Sequence, residues 1–352
     1  MKNSATKSST NPLTLIYIIA LIGFLPSSLH SQNYRYINAY MSDFGKNEMF
    51  VKKSLMDYSV TIVESQADAR SKVTSGKIVA KLVTMNTILR NTNKGFENNT
   101  SLRDSFIKMN EKTIECLTNG SLILNDYDYQ STLSLIEIRA NLARKEKELI
   151  SYYQEIASYE ISKRVFGLKY HVGFKNIIGK NVLEYNAYQN MLFYKINVID
   201  QKLMTVIKAK DKKGFAECFA AIEIQHQEAI AKTTEYKDSF KDNSMNNANI
   251  KYADFINDQK AKLTVLFNDF VDEYSTLQIL KKASTPQTTE AIASYNEVVR
   301  DYNTKKNLFY LAYDTIQTDK KALYSSWFTT NSAFLKNNGE FEDLHDAYTY
   351  KD

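Results

Sequence analysis

SYYQEIASYEISKRVFGLKY, residues 151–170, has a near-echo in SYNEVVRDYNTKKNLFYLAY, residues 294–313. The two align without a gap at an offset of 143, and seven of the 20 pairs are identical: Ser151/Ser294, Tyr152/Tyr295, Tyr159/Tyr302, Lys163/Lys306, Phe166/Phe309, Leu168/Leu311 and Tyr170/Tyr313. Each copy reads as the aromatic half of a long bundle helix, so an internal repeat is the first reading to weigh. A second anchor supports it. The loops GFENNTSLRD and SFKDNSMNNA both place Asx residues, a serine and an apolar residue after a phenylalanine, and Phe96 and Phe240 are 144 apart. Matching helix ends instead, VFGLKY with AFLKNN, pairs Phe166 with Phe334 at an offset of 168. The 143 and 168 registers exclude each other.

Composition points the same way. Of 352 residues, 43% are hydrophobic, enough for one large core or two medium ones. There are only 10 glycines and 3 prolines, two of them (Pro12 and Pro26) near the N-terminus. Sheets and tight turns need more of both, so this is the profile of long helices. The 24 tyrosines and 18 phenylalanines supply core bulk, with phenol oxygens able to reach the surface.

Eight helices are expected after the N-terminal segment. The first carries Val51, Leu55, Tyr58 and Ile62 on one face. The second, about Ala69 to Leu89, carries Val79, Leu82, Met85 and Leu89. A third follows NTNKGFENNTS with Leu102, Phe106, Met109 and Cys116 on its seam, and Ser101 with Asp104 reads as its cap. The fourth runs from about Ser131 to Tyr170 on Leu135, Ile138, Leu142, Leu149, Tyr153 and Ile156, roughly 60 Å long at the helical rise. Glu146 interrupts that seam. His171–Lys180, with two glycines, is the expected boundary. Beyond it the fifth helix spans Val182–Ala209, the sixth about Phe215–Tyr236, the seventh ends near Ala283, and the eighth runs on from Pro286 to about Lys336.

The expectation is an all-α protein of two tandem antiparallel four-helix up-down bundles, an internal duplication. Residues 1–31 form a cleaved signal peptide, 32–172 the first bundle, 180–338 the second and 339–352 a flexible tail. One continuous bundle is the rival architecture.

Lys2 and Lys7 precede an apolar run from Leu13 to Leu25, followed by Pro26, small residues and a cut after Ser31. That is the order of a secretory signal. The run is shorter than the ~20 residues of a membrane-spanning helix. No later segment is apolar enough to span, so the mature chain is expected to be exported, to the periplasm, the cell surface or beyond. Without Lys2 and Lys7 it carries 43 basic residues against 40 acidic, interspersed rather than bunched. A nucleic-acid partner, which calls for a basic stripe, is not expected.

The chemistry-bearing motif is Glu-x-x-His, at Glu223/His226 and at Glu342/His345. Two such pairs with two further glutamates make the di-iron site of a helical bundle. However, Glu342/His345 lies past Gly339, outside the bundle. His226 continues the stripe Phe215, Phe219, Ile222, His226, Ile230, so a hydrogen-bonded packing histidine is the preferred reading. No residue is assigned a catalytic, cofactor-binding or metal role, and no cofactor is expected. There is no phosphate loop, nucleophile elbow, haem motif or zinc-type Cys/His cluster. Cys116 and Cys218 fall on helix seams, able either to pair or to pack as small apolar residues. YNAYQNMLFY, residues 185–194, reads as core, with a binding face as the alternative.

DYSVTIVESQADARSK (57–72), FENNTSLRDSF (96–106), YNEVVRDYN (295–303) and SSWFTTNSAFLKNN (325–338) resemble the leptospiral-type surface protein family of exported helical bacterial proteins. The resemblance covers nearly the whole mature chain, in helix surfaces and caps. It implies a signal peptide and tandem helices, with no activity or cofactor and no functional residues to carry over. The function expected is a non-enzymatic binding or structural role at the cell envelope with a partner there. A metal-handling bundle using Glu223 and His226 is the alternative.

Overall fold

The computed structural model describes residues 34–64, 68–119, 124, 126–173, 181–238, 240–282, 288–339 and 349–350. The signal peptide expected at 1–31, Pro286, Glu342/His345, most of the 171–180 boundary and most of the tail lie outside them.

The fold is all-α. Among the described residues nine helices follow in order: α1 (Ile37–Glu64), α2 (Asp68–Thr92), α3 (Ser101–Thr118), α4 (Tyr127–Thr132), α5 (Leu135–Lys169), α6 (Val182–Ala209), α7 (Lys212–Tyr236), α8 (Ser244–Lys282) and α9 (Thr289–Gly339). Two short strands, β1 (Val172–Gly173) and β2 (Thr349–Tyr350), pair antiparallel with Val172 opposite Tyr350. Consecutive long helices pack on each other, α5 lies against α6, and α1 also touches α6 and α9.

Local chemistry sets the helix ends. α6 matches the expected helix at both ends because Asn181 accepts the backbone N–H groups of Leu183 (2.8 Å) and Glu184 (3.3 Å). At its other end Lys210 turns left-handed at φ 57°. The expected fourth helix instead divides into α4 and α5. Leu133 and Ser134 are extended, and Ser134 forms a capping box: its hydroxyl accepts the Glu137 N–H (3.3 Å) while Glu137 accepts the Ser134 N–H (2.8 Å). The Ser101/Asp104 cap also shifts. Thr100 is the N-cap and donates its hydroxyl to Asp104 (2.7 Å), and Asn99 accepts the Ser101 N–H (3.1 Å). Before α3 the chain bends at Gly95 (φ +78°), where a Cβ would lie 2.1 Å from the Asn99 carbonyl oxygen.

Most of the expected apolar stripe positions are buried, while Leu55, Val79, Met85, Leu135 and Ile156 are half-buried. Leu82, Leu102, Phe106, Ile138, Leu142, Leu149, Tyr185, Ile196, Ile199, Leu203, Leu263 and Phe270 are all buried. They sort into two clusters. The smaller joins α1, α2, most of α3 and the C-terminal half of α5 through Tyr159 and Phe166. The larger joins α6 to α9 with Cys116 and with Ile138, Leu142, Leu149, Tyr152 and Tyr153 from the rest of α5. Leu55 and Ile156 pack against both. α5 is therefore a wall shared by the two clusters, and the apolar core continues across the 173–181 connection.

Two aromatic groups occupy matching places. Near the start of α1, Tyr40 packs on Phe96 (ring centroids 6.2 Å apart) and Phe166 (5.6 Å). Near the start of α6, Tyr185 packs on Phe240 (4.7 Å) and Phe334 (5.2 Å). Phe309, the echo partner of Phe166, lies elsewhere, against Phe267 and Phe270 beside the α6–α7 turn, where Phe215 stacks on Phe267 (4.2 Å). The echo reproduces the helical phase, with Phe166 and Phe309 both buried and Leu168 and Leu311 both exposed, but at different heights in the fold.

Candidate functional site: an apolar cavity between α1, α3, α5 and α6

Where α6 begins, its first two turns meet the middle of α5 and the later part of α1. Tyr153 of α5 donates its phenol to the Leu183 carbonyl oxygen (2.8 Å), fixing that approach. The side chains leave a cavity of about 100 Å³. Its walls are mainly apolar: Val51, Leu55 and Tyr58 from α1, Phe106 and Met109 from α3, Leu149, Tyr152 and Ile156 from α5, and Leu183, Ala187 and Met191 from α6. Lys52, Ser59, Glu160, Asn181 and Asn190 add polar groups.

A buried charged group stands at one end. Glu48 of α1 and Lys163 of α5 are 6% and 4% exposed, and Lys163 Nζ lies 2.9 Å from Glu48 Oε2. Tyr159 donates its phenol to the other carboxylate oxygen. Burial, then the Glu48 charge, push the Tyr159 phenol well above its ordinary range, so it stays a neutral donor. With its carboxylate held by a lysine and a phenol, Glu48 has no proton-transfer task to hand. Sites for drug-sized ligands measure about 300–1,000 Å³, whereas an apolar cavity near 150 Å³ takes one benzene. At about 100 Å³ this one is smaller than that, so it holds at most a short hydrocarbon segment or one small ring.

The motif singled out in the sequence lies elsewhere, on α7. Glu223 Oε2 sits 2.9 Å from Lys260 Nζ, and that hydrogen bond lowers the Glu223 carboxyl below its ordinary value. His226 Nε2 lies 2.7 Å from Asp254 Oδ1, and its Nδ1 is buried without a hydrogen-bond partner. These are two separate pairs bridging α7 to α8. Among the described residues no three His, Cys, Asp or Glu side chains converge as metal ligands. Of the stripe holding His226, Phe215, Phe219 and Ile222 are buried, while Ile230 is exposed. No disulfide joins Cys116 to Cys218, and both are buried. Burial pushes the Cys218 thiol up to about 12.

Within 185–194, Tyr185, Phe193 and Tyr194 are core, while Tyr188 is half-buried at the rim of a second recess. Glu146, the interruption in the α5 seam, accepts from the buried Lys195 of α6 (2.8 Å), which also reaches Glu228 of α7 (2.5 Å). An acidic residue on an apolar stripe was the available sign of that pair. The cavity had no such sign, because its apolar walls are residues that read individually as core. Among the described residues, no helix is long and apolar enough to cross a membrane.

No protein-family model, curated protein or solved structure matches the chain.

Proposed function

We propose that the protein is an exported, non-catalytic binding protein of the cell envelope that holds a small apolar molecule between α1, α3, α5 and α6. The observation that carries the reading is the cavity: mostly apolar walls, a neutralised carboxylate at one end, and the Tyr153 and Tyr159 phenols held by hydrogen bonds. Export rests on the signal-like order of Lys2, Lys7, Leu13–Leu25 and Ser31. The resemblance to leptospiral-type surface proteins points to the same compartment. The metal-handling reading draws no support from Glu223 and His226, whose partners are Lys260 and Asp254.

The same reading takes the chain as a duplicated four-helix unit. α1 and α6 each have 28 residues and α2 and α7 each have 25, at offsets of 145 and 144. The fourth helices then match through Phe166 and Phe334. In that register Phe44, Phe106 and Tyr159 correspond to Gln189, Asn249 and Trp327. The first three pack as rings, with Phe44–Phe106 5.0 Å and Phe106–Tyr159 5.5 Å apart. The second three are joined by hydrogen bonds, Asn249 donating to Gln189 and Trp327 donating to Asn249 (2.8 Å).

Fractionation of native cells, followed by intact-mass measurement and solvent extraction of the purified protein, tests the proposal. The expected result is a chain lacking residues 1–31 in the envelope or medium, releasing a small apolar compound in stoichiometric amount. A cytoplasmic protein retaining Met1 refutes export, and an extract without any such compound counts against the cavity as a storage site.

A further inference from the structure

α5 turns one face inward, to both apolar clusters, and a second face outward. The outward face is not that of a merely solvated helix. Ile136, Ile161, Val165 and Leu168 stand on it 81%, 63%, 62% and 79% exposed, and Ile150 is exposed between them. Ala140, Ala143 and Ala157 are exposed on the same face. From Ile136 to Leu168 these residues recur at steps of three or four or their sums, the spacing of one helix-packing seam. The seam is roughly 48 Å long at the helical rise.

The charges on this face have one sign. Arg139, Arg144, Lys147, Arg164 and Lys169 are exposed, and the one exposed carboxylate of α5, Glu137, is taken up by the Ser134 cap. The half-buried carboxylates are engaged as well: Glu146 by Lys195 of α6, Glu148 by Arg144 and Glu155 by Lys108 of α3, while Glu160 lines the cavity.

Within the fold, neighbouring helices close such seams with ion pairs across them. Arg90 and Glu111 join α2 to α3, Lys108 and Glu155 (2.8 Å) α3 to α5, Lys260 and Glu223 (2.9 Å) α8 to α7, and Lys305 and Glu273 (3.0 Å) α9 to α8. Each junction has a basic helix side and an acidic one. The outward face of α5 has the stripe and the basic side. A second copy of the same face does not supply the acidic side, because like charges meet in either orientation. A bilayer surface rewards a broad band of bulky apolar groups. Here three alanines thin the stripe and Lys147 and Gln154 lie within it, whereas small residues let another helix approach closely.

We propose that the outward face of α5 docks an acidic amphipathic helix of a partner protein. Its apolar stripe packs on Ile150, Ile161, Val165 and Leu168, and its carboxylates face Arg139, Lys147, Arg164 and Lys169. The surface is distinct from the apolar cavity, and neither proposal falls with the other.

Titration of a labelled synthetic helix of about four heptads with the full mature protein, followed by fluorescence anisotropy, tests it. The probe carries leucine at its seam positions and glutamate beside them; the control carries lysine in place of glutamate. Saturable one-to-one binding of the glutamate helix is expected, with the lysine helix about tenfold weaker or worse. Ile161→Ser with Leu168→Ser is expected to weaken binding about tenfold. Arg139→Glu with Lys147→Glu is expected to reverse the preference between the two helices. Both double variants are expected to keep the parent's far-UV circular dichroism and melting temperature, since all four side chains are exposed. Failure of the glutamate helix to bind, equal affinity for the two helices, or indifference to either double variant would overturn the proposal. So would flotation with vesicles of equimolar phosphatidylcholine and phosphatidylglycerol, or self-association in sedimentation velocity, that Ile161→Ser with Leu168→Ser abolishes.

Discussion

Lys163 is buried deep inside a helical protein, and only its partners make that position tenable. Its ammonium and the Tyr159 phenol together satisfy Glu48, a carboxylate otherwise sealed from water. Removing one member of such a pair leaves an uncompensated buried charge, which costs about 3–5 kcal/mol. Lys163→Met is therefore expected to lower stability by about that amount in urea unfolding, and Lys163→Met with Glu48→Gln to recover much of it. A double variant no more stable than the single one would show that the pair is not the origin of the loss. Asp242 illustrates the opposite balance. Partial burial raises its carboxyl, but the Ser244 N–H (2.9 Å) and Asn338 amide (2.9 Å) outweigh that and leave it below its ordinary value. A carboxyl lowered on folding contributes stability above its unfolded pKa, about 3.9, and that contribution fades as pH falls through the folded value. The urea midpoint of Asp242→Asn is accordingly expected to fall less steeply between about pH 4 and pH 2.5 than that of the parent protein. Parallel curves would contradict the assignment.

At the scale of the element, α5 organises the molecule, and its start is set by one hydroxyl. Ser134→Ala is expected to cost about 1 kcal/mol, read as a lower urea midpoint at unchanged slope. A loss spread over both clusters would follow from the place of α5 between them. The sequence carries this box openly as Ser134-x-x-Glu137. The expected start at Ser131 misses it because α4 precedes the cap by only two residues and merges with α5 in any periodicity reading. Periodicity otherwise reads well here. Stripes such as Tyr185–Tyr188–Leu192–Ile196–Ile199–Leu203–Val206, all buried but the half-buried Tyr188, predict burial because each side chain's environment repeats with the helix. Register between distant helices is another matter. The 143-residue echo matches helical phase, which any two aromatic helix faces share, whereas the Tyr40 and Tyr185 groups involve three elements each and fix height as well. The recesses were the least legible. Met191, Tyr188 and Leu183 look alike in a stripe, and only the approach angle of α6 to α5 decides which faces a void.

Across the whole molecule, the two apolar clusters share α5, and both reach Leu55 and Ile156. Unfolding either half exposes a face of the other. A single calorimetric transition is expected, with the van't Hoff and calorimetric enthalpies in agreement. Two resolved transitions would mean that the halves melt independently. The same junction gives the cavity its walls, since α1, α3 and α5 supply one side and α6 the other. A ligand bound there would therefore tie the two halves together, and one that binds only the folded form would raise the melting temperature of the whole chain.

The most direct test of the cavity is a titration with toluene followed by ¹³C-methyl NMR of the methionines. Met109 and Met191 line the cavity from facing helices, whereas Met41 and Met245 are buried outside it. The account predicts saturable shifts of the Met109 and Met191 methyls, little change at Met41 and Met245, and loss of the effect in Ala187→Leu, which fills the space. Uniform shifts at all four methionines, or saturable shifts that survive Ala187→Leu, would contradict it.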